Sequence, residues 1–173
     1  MEFKEKTVNK NYIYRGKILN LRKDDIILPD GNGAVREIVE HVGGSTVYCE
    51  LDGKILFVKQ YRYAFGKEIL ELPAGKRDGD EPLEQTAIRE LEEEGGLKAE
   101  RVEKICEIYP STGYTNEVIG IFKAVGVKKT AMKLDKDEFL TGVWIDKEQV
   151  KKMIENGEIN DAKTLIALLY VLR

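Results

Sequence analysis

The sequence predicts an α+β fold or an α/β/α sandwich, and three observations carry that expectation. Strand-like alternation dominates the first 72 residues. The hydrophobic period changes from two to the helical spacing near Pro82. Strands and helices are then interspersed to the end of the chain, a pattern that layers helices on a sheet.

The elements follow in order. Residues 11–20 and 21–28 alternate apolar and polar side chains. Pro29-Asp30-Gly31-Asn32-Gly33 is a turn cluster, and a strand resumes over 34–41. Residues 46–51 and 54–61 flank Asp52-Gly53 and read as a hairpin. A short strand over 68–72 stops at Pro73. Leu83, Ala87, Ile88 and Leu91 then mark one face of a helix over 82–94, with Pro82 in its first turn and Gly95-Gly96 as its stop. Strands are expected over 102–109, 118–127 and 139–145, and helices over 147–155 and 161–172. Asp146 and Asn160 are candidate N-caps and Gly157 a stop. There is no repeat and no evident linker.

Composition narrows the chemistry. The chain has 173 residues, with 28 Lys and Arg against 31 Asp and Glu, a net charge of −3. That size suits one domain or one domain with an appendage, and 42% hydrophobic content supports a full core. The acidic balance, with a pI near 5.5, speaks against broad nucleic-acid binding. The absence of a long apolar run and the charged first residues predict a cytoplasmic protein without a membrane span. Cys49 and Cys106 are too few for a disulfide framework or a thiolate zinc site, and each reads as a small hydrophobe. His41 is the sole histidine and no nucleophile-elbow motif accompanies it. Any catalysis therefore falls to carboxylates, basic side chains and a metal ion.

One segment concentrates these groups, GKRDGDEPLEQTAIRELEEEGGL over residues 75–97. On the expected helix, Glu90, Glu93 and Glu94 stand at i, i+3 and i+4 and share a face. A divalent hard cation relieves the repulsion among such carboxylates. Arg89 lies beside them, and the preceding glycine-containing loop is able to present the Ala74 carbonyl to the same ion. The plain alternative is a solvated acidic helix face. Against it, Gly75, Glu81, Arg89, Glu90, Leu91, Glu93, Glu94, Gly96 and Leu97 fill every fixed position of G-x5-E-x7-R-E-U-x-E-E-x-G-U, where U is a bulky aliphatic residue. By ordinary residue frequencies a chance match arises in about one chain in ten million or fewer.

This segment resembles the Nudix box, and the chain is similar to the Nudix hydrolases. The resemblance implies an α/β/α sandwich around a mixed sheet and hydrolysis of a nucleoside diphosphate linked to another moiety, with Mg²⁺ or Mn²⁺. It also implies that Glu90 and Glu94 are the main metal ligands, with Glu93 assisting and the Ala74 carbonyl as a further ligand. Glu81 and Arg89 would hold the catalytic helix and loop together.

The likeness extends to the ADP-ribose pyrophosphatase branch, the nucleoside diphosphate sugar hydrolases. It is carried by the VKQYR segment ending at Arg62, by EILELPAG over 68–75, by STGYTNE over 111–117, by Asp137-Glu138 ahead of Trp144, and by Asp161-Ala162-Lys163-Thr164. In that branch an N-terminal strand region supports a homodimer, which implies residues 1–40 as a dimerising β region and 41–173 as the hydrolase domain. Glu138 is the candidate general base, with Asp137 behind it, and a solvated loop charge is its bland alternative. Arg36 and Arg62 are candidates for the phosphates or terminal ribose, by bidentate hydrogen bonding. Glu117 and Gly113 belong to the substrate loop, and Glu117 is a candidate to bind the substrate or a metal ion. Tyr12, Tyr14 and Tyr114 are candidates for stacking on a base.

One departure matters. The branch carries proline in its S-P-G loop, where this chain has Thr112. Threonine does not preset the loop as proline does. The expected substrate is ADP-ribose, cleaved to AMP and ribose 5-phosphate, with GDP-mannose or another nucleotide sugar as the alternative. A nucleotide-sensing module without catalysis and a triphosphate house-cleaner are the competing classes. The intact set of box carboxylates opposes the first, and the long N-terminal region opposes the second.

Overall fold

The computed structural model describes residues 3–134, 136 and 138–173. The chain divides into two compact units, one of residues 1–43 with 109–118 and one of residues 44–108 with 119–173.

In the first unit, β1 (Lys6–Arg15), β2 (Leu19–Ile27) and β3 (Gly33–His41) form an antiparallel sheet in chain order. β1 begins five residues ahead of the strand expected from alternation. Every residue of β1 is exposed, so neither face needed an apolar pattern to announce it. Its turn into β2 closes where the Gly16 N–H donates to the Leu19 carbonyl at 3.0 Å. Segment 109–118 runs beside β3. The Val39 N–H donates to the Tyr114 carbonyl at 2.7 Å, and the His41 N–H donates to Asn116 Oδ1 at 2.9 Å.

The second unit holds the remaining elements: β4 (Gly44–Tyr48), β5 (Glu50–Leu51), β6 (Lys54–Arg62), β7 (Lys67–Glu71), β8 (Ala74–Lys76), α1 (Leu83–Gly95), β9 (Leu97–Ile108), β10 (Ile119–Lys129), β11 (Leu140–Asp146), α2 (Lys147–Glu155) and α3 (Ala162–Val171). One sheet has the order β8-β4-β10-β9, with β4 and β10 parallel and the other pairs antiparallel. A second has the order β11-β6-β5, and β7 also pairs with β6. The hairpin between β5 and β6 turns at Asp52 and Gly53, both with positive φ, the geometry that Asp-Gly favours.

Alternation along the central strands builds two cores. Val47 and Cys49 of the β4 region, Leu56 of β6 and Phe122 of β10 point to one side, where Ala87 and Leu91 of α1 cover them. Their neighbours Tyr48, Ile55, Phe57 and Ile121 point to the other, under Val150 of α2 and Ala167 and Leu168 of α3. These strands are buried on both faces, which makes the unit a mixed-sheet sandwich between helices. α2 is capped by Asp146, whose carboxylate accepts from the Glu148 N–H. α3 is capped by Asp161, one residue beyond the expected Asn160. No helix among the described residues is long and apolar enough to cross a membrane.

Leu91 is fully buried at the contact of α1 with the sheet. Leu91→Ala should lower the unfolding free energy by about 3 kcal/mol in a urea titration. A loss under about 1 kcal/mol would show that this core repacks without a cavity.

Candidate active site

The site grows from the edge where α1 meets β8. Pro82 occupies the N-cap position of α1 in an extended conformation, and the Thr86 N–H reaches back to its carbonyl at 3.0 Å. Ser45 of β4 donates its hydroxyl to the Leu83 carbonyl at 2.6 Å and ties the helix start to the sheet. Gly96 ends the helix in the left-handed conformation, donating to the Glu92 carbonyl. With Leu83, Ala87 and Leu91 turned to the core, Glu90, Glu93 and Glu94 line the flank that meets residues 74–76.

Arg89 organises this flank. Its Nη1 donates to Glu90 at 2.7 Å and to Glu93 at 2.8 Å. Its Nη2 donates to the Lys76 carbonyl at 2.8 Å and to Glu81 at 3.1 Å. Glu81 is also held by the Thr86 hydroxyl at 2.8 Å, and Arg77 Nε donates to its carbonyl at 2.7 Å. Burial would raise the Glu81 carboxyl, but the Arg89 and Thr86 hydrogen bonds outweigh it and hold it below its ordinary value. The loop, the helix and β8 are thereby joined through one guanidinium.

Glu90 and Glu94 have the opposite balance. Burial pushes Glu94 up to about 8, against the pull of the Ala74 N–H, which donates to its Oε2 at 2.8 Å. The charges of Glu90 and Glu138 push the same way as burial, and the charge of Arg62 opposes it. Burial likewise lifts Glu90 to about 7, against Arg89 and with Glu93 and Glu138. Gly75 faces this pair, and a Cβ at that position would overlap the Glu90 carboxylate. Glycine is therefore required by close approach, the role that its place in the motif suggested.

These carboxylates suit a hard divalent cation. A divalent cation would displace the protons that burial holds on Glu90 and Glu94 and take their oxygens as ligands. Among the described residues no three His, Cys, Asp or Glu side chains converge as a ready-made metal cage. Arg89 draws Glu90 and Glu93 toward itself and the Ala74 amide draws Glu94, so the oxygens face different partners. Glu90 and Glu94 are the residues that would hold the ion.

Arg62 lies in the same unit with its fork already engaged. Nε and Nη2 bond the two oxygens of Glu71 at 2.5 and 2.7 Å. The hydrogen bond to Glu71 raises the Arg62 pKa, and the charge of Glu94 adds to it. The charge of Glu138 adds to the upward push on both Glu90 and Glu94. Asp137 lies outside the described residues.

The other candidates belong to the first unit. Arg36 pairs with Glu5, through Nε at 3.0 Å and through Nη2. Together with Arg22, Gly113 and Tyr114 it lines a cleft of about 340 Å³. Glu117 contacts His41 Nδ1 at 3.1 Å, the nitrogen that also faces the Gly43 N–H. Tyr12 receives the Arg15 guanidinium on its ring. Missing from the sequence reading were roles for Thr86, Glu71 and Lys163. A buried glutamate between Leu70 and Pro73 was the available signal for Glu71.

The NUDIX domain profile matches residues 39–168 of this chain. The chain belongs to the Nudix family. A second profile, the nucleoside diphosphate sugar hydrolase N-terminal domain, matches residues 5–39. An ADP-ribose pyrophosphatase of Bacillus subtilis is 41% identical over 96% of this chain and 92% of its own. A methanol dehydrogenase activator of Bacillus methanolicus is 38% identical over 98% and 93%. A GDP-mannose pyrophosphatase of Yersinia enterocolitica is 33% identical over 87% and 86%. A crystal structure of an ADP compounds hydrolase superposes with a TM-score of 0.85 over 98% of this chain and 92% of that one, at 20% identity, which shows the Nudix fold. The chain is a hydrolase of this family, and the family works with divalent cations.

The raised carboxyls set a pH dependence for the metal-free Nudix chain. The folded state holds their protons more tightly than the unfolded chain does, so stability is greatest below about pH 4.5 for these two groups and falls as pH rises toward 8. In EDTA, Tm should drop by roughly 5 °C or more between pH 5 and pH 8. The drop should shrink in Glu94→Gln and be reversed by millimolar Mg²⁺ at pH 8. An identical slope in wild type and Glu94→Gln would remove Glu94 as its source.

Proposed function

We propose that this chain hydrolyses the pyrophosphate bond of ADP-ribose to AMP and ribose 5-phosphate, with Mg²⁺ or Mn²⁺ as cofactor. The observation that carries the reading is the buried Glu90 and Glu94 pair, short of positive charge and braced by Arg89. The 41%-identical ADP-ribose pyrophosphatase supports the choice of substrate. The Thr112 departure and the GDP-mannose pyrophosphatase relative support GDP-mannose as the second reading.

Bound on Glu90 and Glu94, with Glu93 and the Ala74 carbonyl assisting, the cation would neutralise the diphosphate and acidify water. Arg89 and Glu81 keep the ligand-bearing helix fixed against β8. Glu138 takes the proton of the attacking water. Water adds to one phosphorus, the bridging P–O bond breaks, and the bridging oxygen leaves with the other phosphate. Arg62 serves the diphosphate, and Arg36, Glu117 and Gly113 are further candidates for substrate binding.

Residues 1–40 form the dimerising region of a cytoplasmic homodimer. The exposed Val8, Ile13, Tyr14, Ile18 and Val35 of the N-terminal sheet support that part of the reading.

Product analysis with Mg²⁺ and a panel of ADP-ribose, GDP-mannose, UDP-glucose, diadenosine polyphosphates and nucleoside triphosphates tests the assignment. AMP should appear fastest from ADP-ribose and vanish with EDTA. Glu94→Gln, which keeps an acceptor for the Ala74 amide, should lower kcat on the order of a thousandfold without changing the circular dichroism spectrum. Faster release from GDP-mannose would select the second reading, and silence across the panel would favour a nucleotide sensor. Retained turnover in Glu94→Gln would falsify the metal assignment.

A further inference from the structure

Outside the motif, the second unit contains a charge relay centred on the buried Glu71. Glu71 is only 3% exposed, and both its oxygens are bonded by Arg62. Lys163 Nζ adds a contact to Glu71 Oε2 and a second to Asp161 Oδ1 at 2.9 Å. Asp161 is the N-cap of α3, and its Oδ2 accepts from the Thr164 N–H at 3.0 Å. The Thr164 hydroxyl in turn accepts from the Leu72 N–H at 2.8 Å. Two consecutive residues at the end of β7 are thus tied to the first turn of α3.

The relay leads to the site. Three residues beyond Glu71, the Ala74 N–H holds Glu94, and Gly75 faces Glu90. The same short segment therefore carries Arg62 on one side and the carboxylate pair on the other. With Nε and Nη2 fixed on Glu71, Arg62 keeps Nη1 without a hydrogen bond among the described residues. A fork fixed on one side keeps the N–H donors of Nη1 preset on the other. Freeing it entirely would restore rotamer freedom that a bound ligand must then remove.

We infer that Lys163 and Glu71 are positioning residues, which lock Arg62 so that its open Nη1 meets the diphosphate of the substrate at the edge of the carboxylate pair. Lys163 shares the negative charge of Glu71, so that Arg62 is aligned by it and keeps a donor to offer. The inference rests on the proposed diphosphate substrate.

The test is a double-mutant cycle on the intact chain with Lys163→Met, Arg62→Ala and their combination, and with Lys163→Arg as the conservative control. Kinetics with ADP-ribose and Mg²⁺ are read well below the Tm of each variant. Lys163→Met should lower kcat/KM about tenfold in the wild-type background and less than twofold when Arg62 is already Ala. Lys163→Arg should recover most of the loss. A merely structural lysine would lower Tm equally in both backgrounds and leave kcat/KM of the folded enzyme unchanged. That result, or a tenfold loss in both backgrounds, overturns the inference. The Arg62 Nε–H resonance gives a reading independent of turnover: slow solvent exchange in wild type and fast exchange in Lys163→Met. If the wild type leaves ADP-ribose intact, the substrate reading fails by itself. Unchanged Arg62 exchange in Lys163→Met sinks the positioning claim whatever the substrate.

Discussion

One guanidinium carries the charge balance of this molecule's site. Arg89 bonds Glu81, Glu90 and Glu93 and the carbonyl of Lys76, and no other cation bonds these three acids among the described residues as closely. Like-charged side chains at helical spacing repel, and a short helix does not withstand that easily on its own. Arg89 turns the repulsion into a brace that fixes loop, helix and strand. It does so incompletely, because Arg89 bonds Glu81, Glu90 and Glu93 but leaves Glu94 to the Ala74 amide. Glu90 and Glu94 have the least water around them, and burial lifts their carboxyls to about 7 and about 8. A divalent cation bound by their oxygens would supply the positive charge that Arg89 does not bring to Glu94.

Glu71 and Glu94 show how closely the surroundings decide the behaviour of a buried glutamate. Both are almost wholly removed from solvent. Burial raises each, but Glu71 bonds two cations and lies below its ordinary value, whereas Glu94 has one amide hydrogen bond and is raised to about 8. The first is a structural anion. The second stays poised to exchange a proton for a metal ion. They stand on either side of the 71–75 segment, and this makes a strand end with no catalytic side chain of its own important to the site.

Much of this was legible before any coordinates. The hairpin at Asp52-Gly53, the helix between Pro82 and Gly96 and the two final helices announce themselves by turn chemistry and by periodicity. β1 was placed late because a strand exposed on both faces carries no alternation. β8 went unread because three residues, Ala74, Gly75 and Lys76, contain no pattern at all. Its existence depends on pairing with β4, where Ser45 lies opposite Gly75. Segment 109–118 reads as a loop after a strand, and its hydrogen bonds to β3 join residues some 75 positions apart. No local signal encodes such a pairing.

By itself, the sequence determined the alternating strands, the acidic helix and the carboxylates proposed to hold a metal ion. These are properties of composition and period, which local geometry enforces. Tertiary structure decided what each charge does. Arg62 and Arg36 read alike as arginines open to phosphate, but folding brought Glu71 to one and Glu5 to the other. Glu90 and Glu93 share a helix face, yet only Glu90 is buried. Desolvation and pairing depend on neighbours distant in the chain, so they emerge only when the chain has folded.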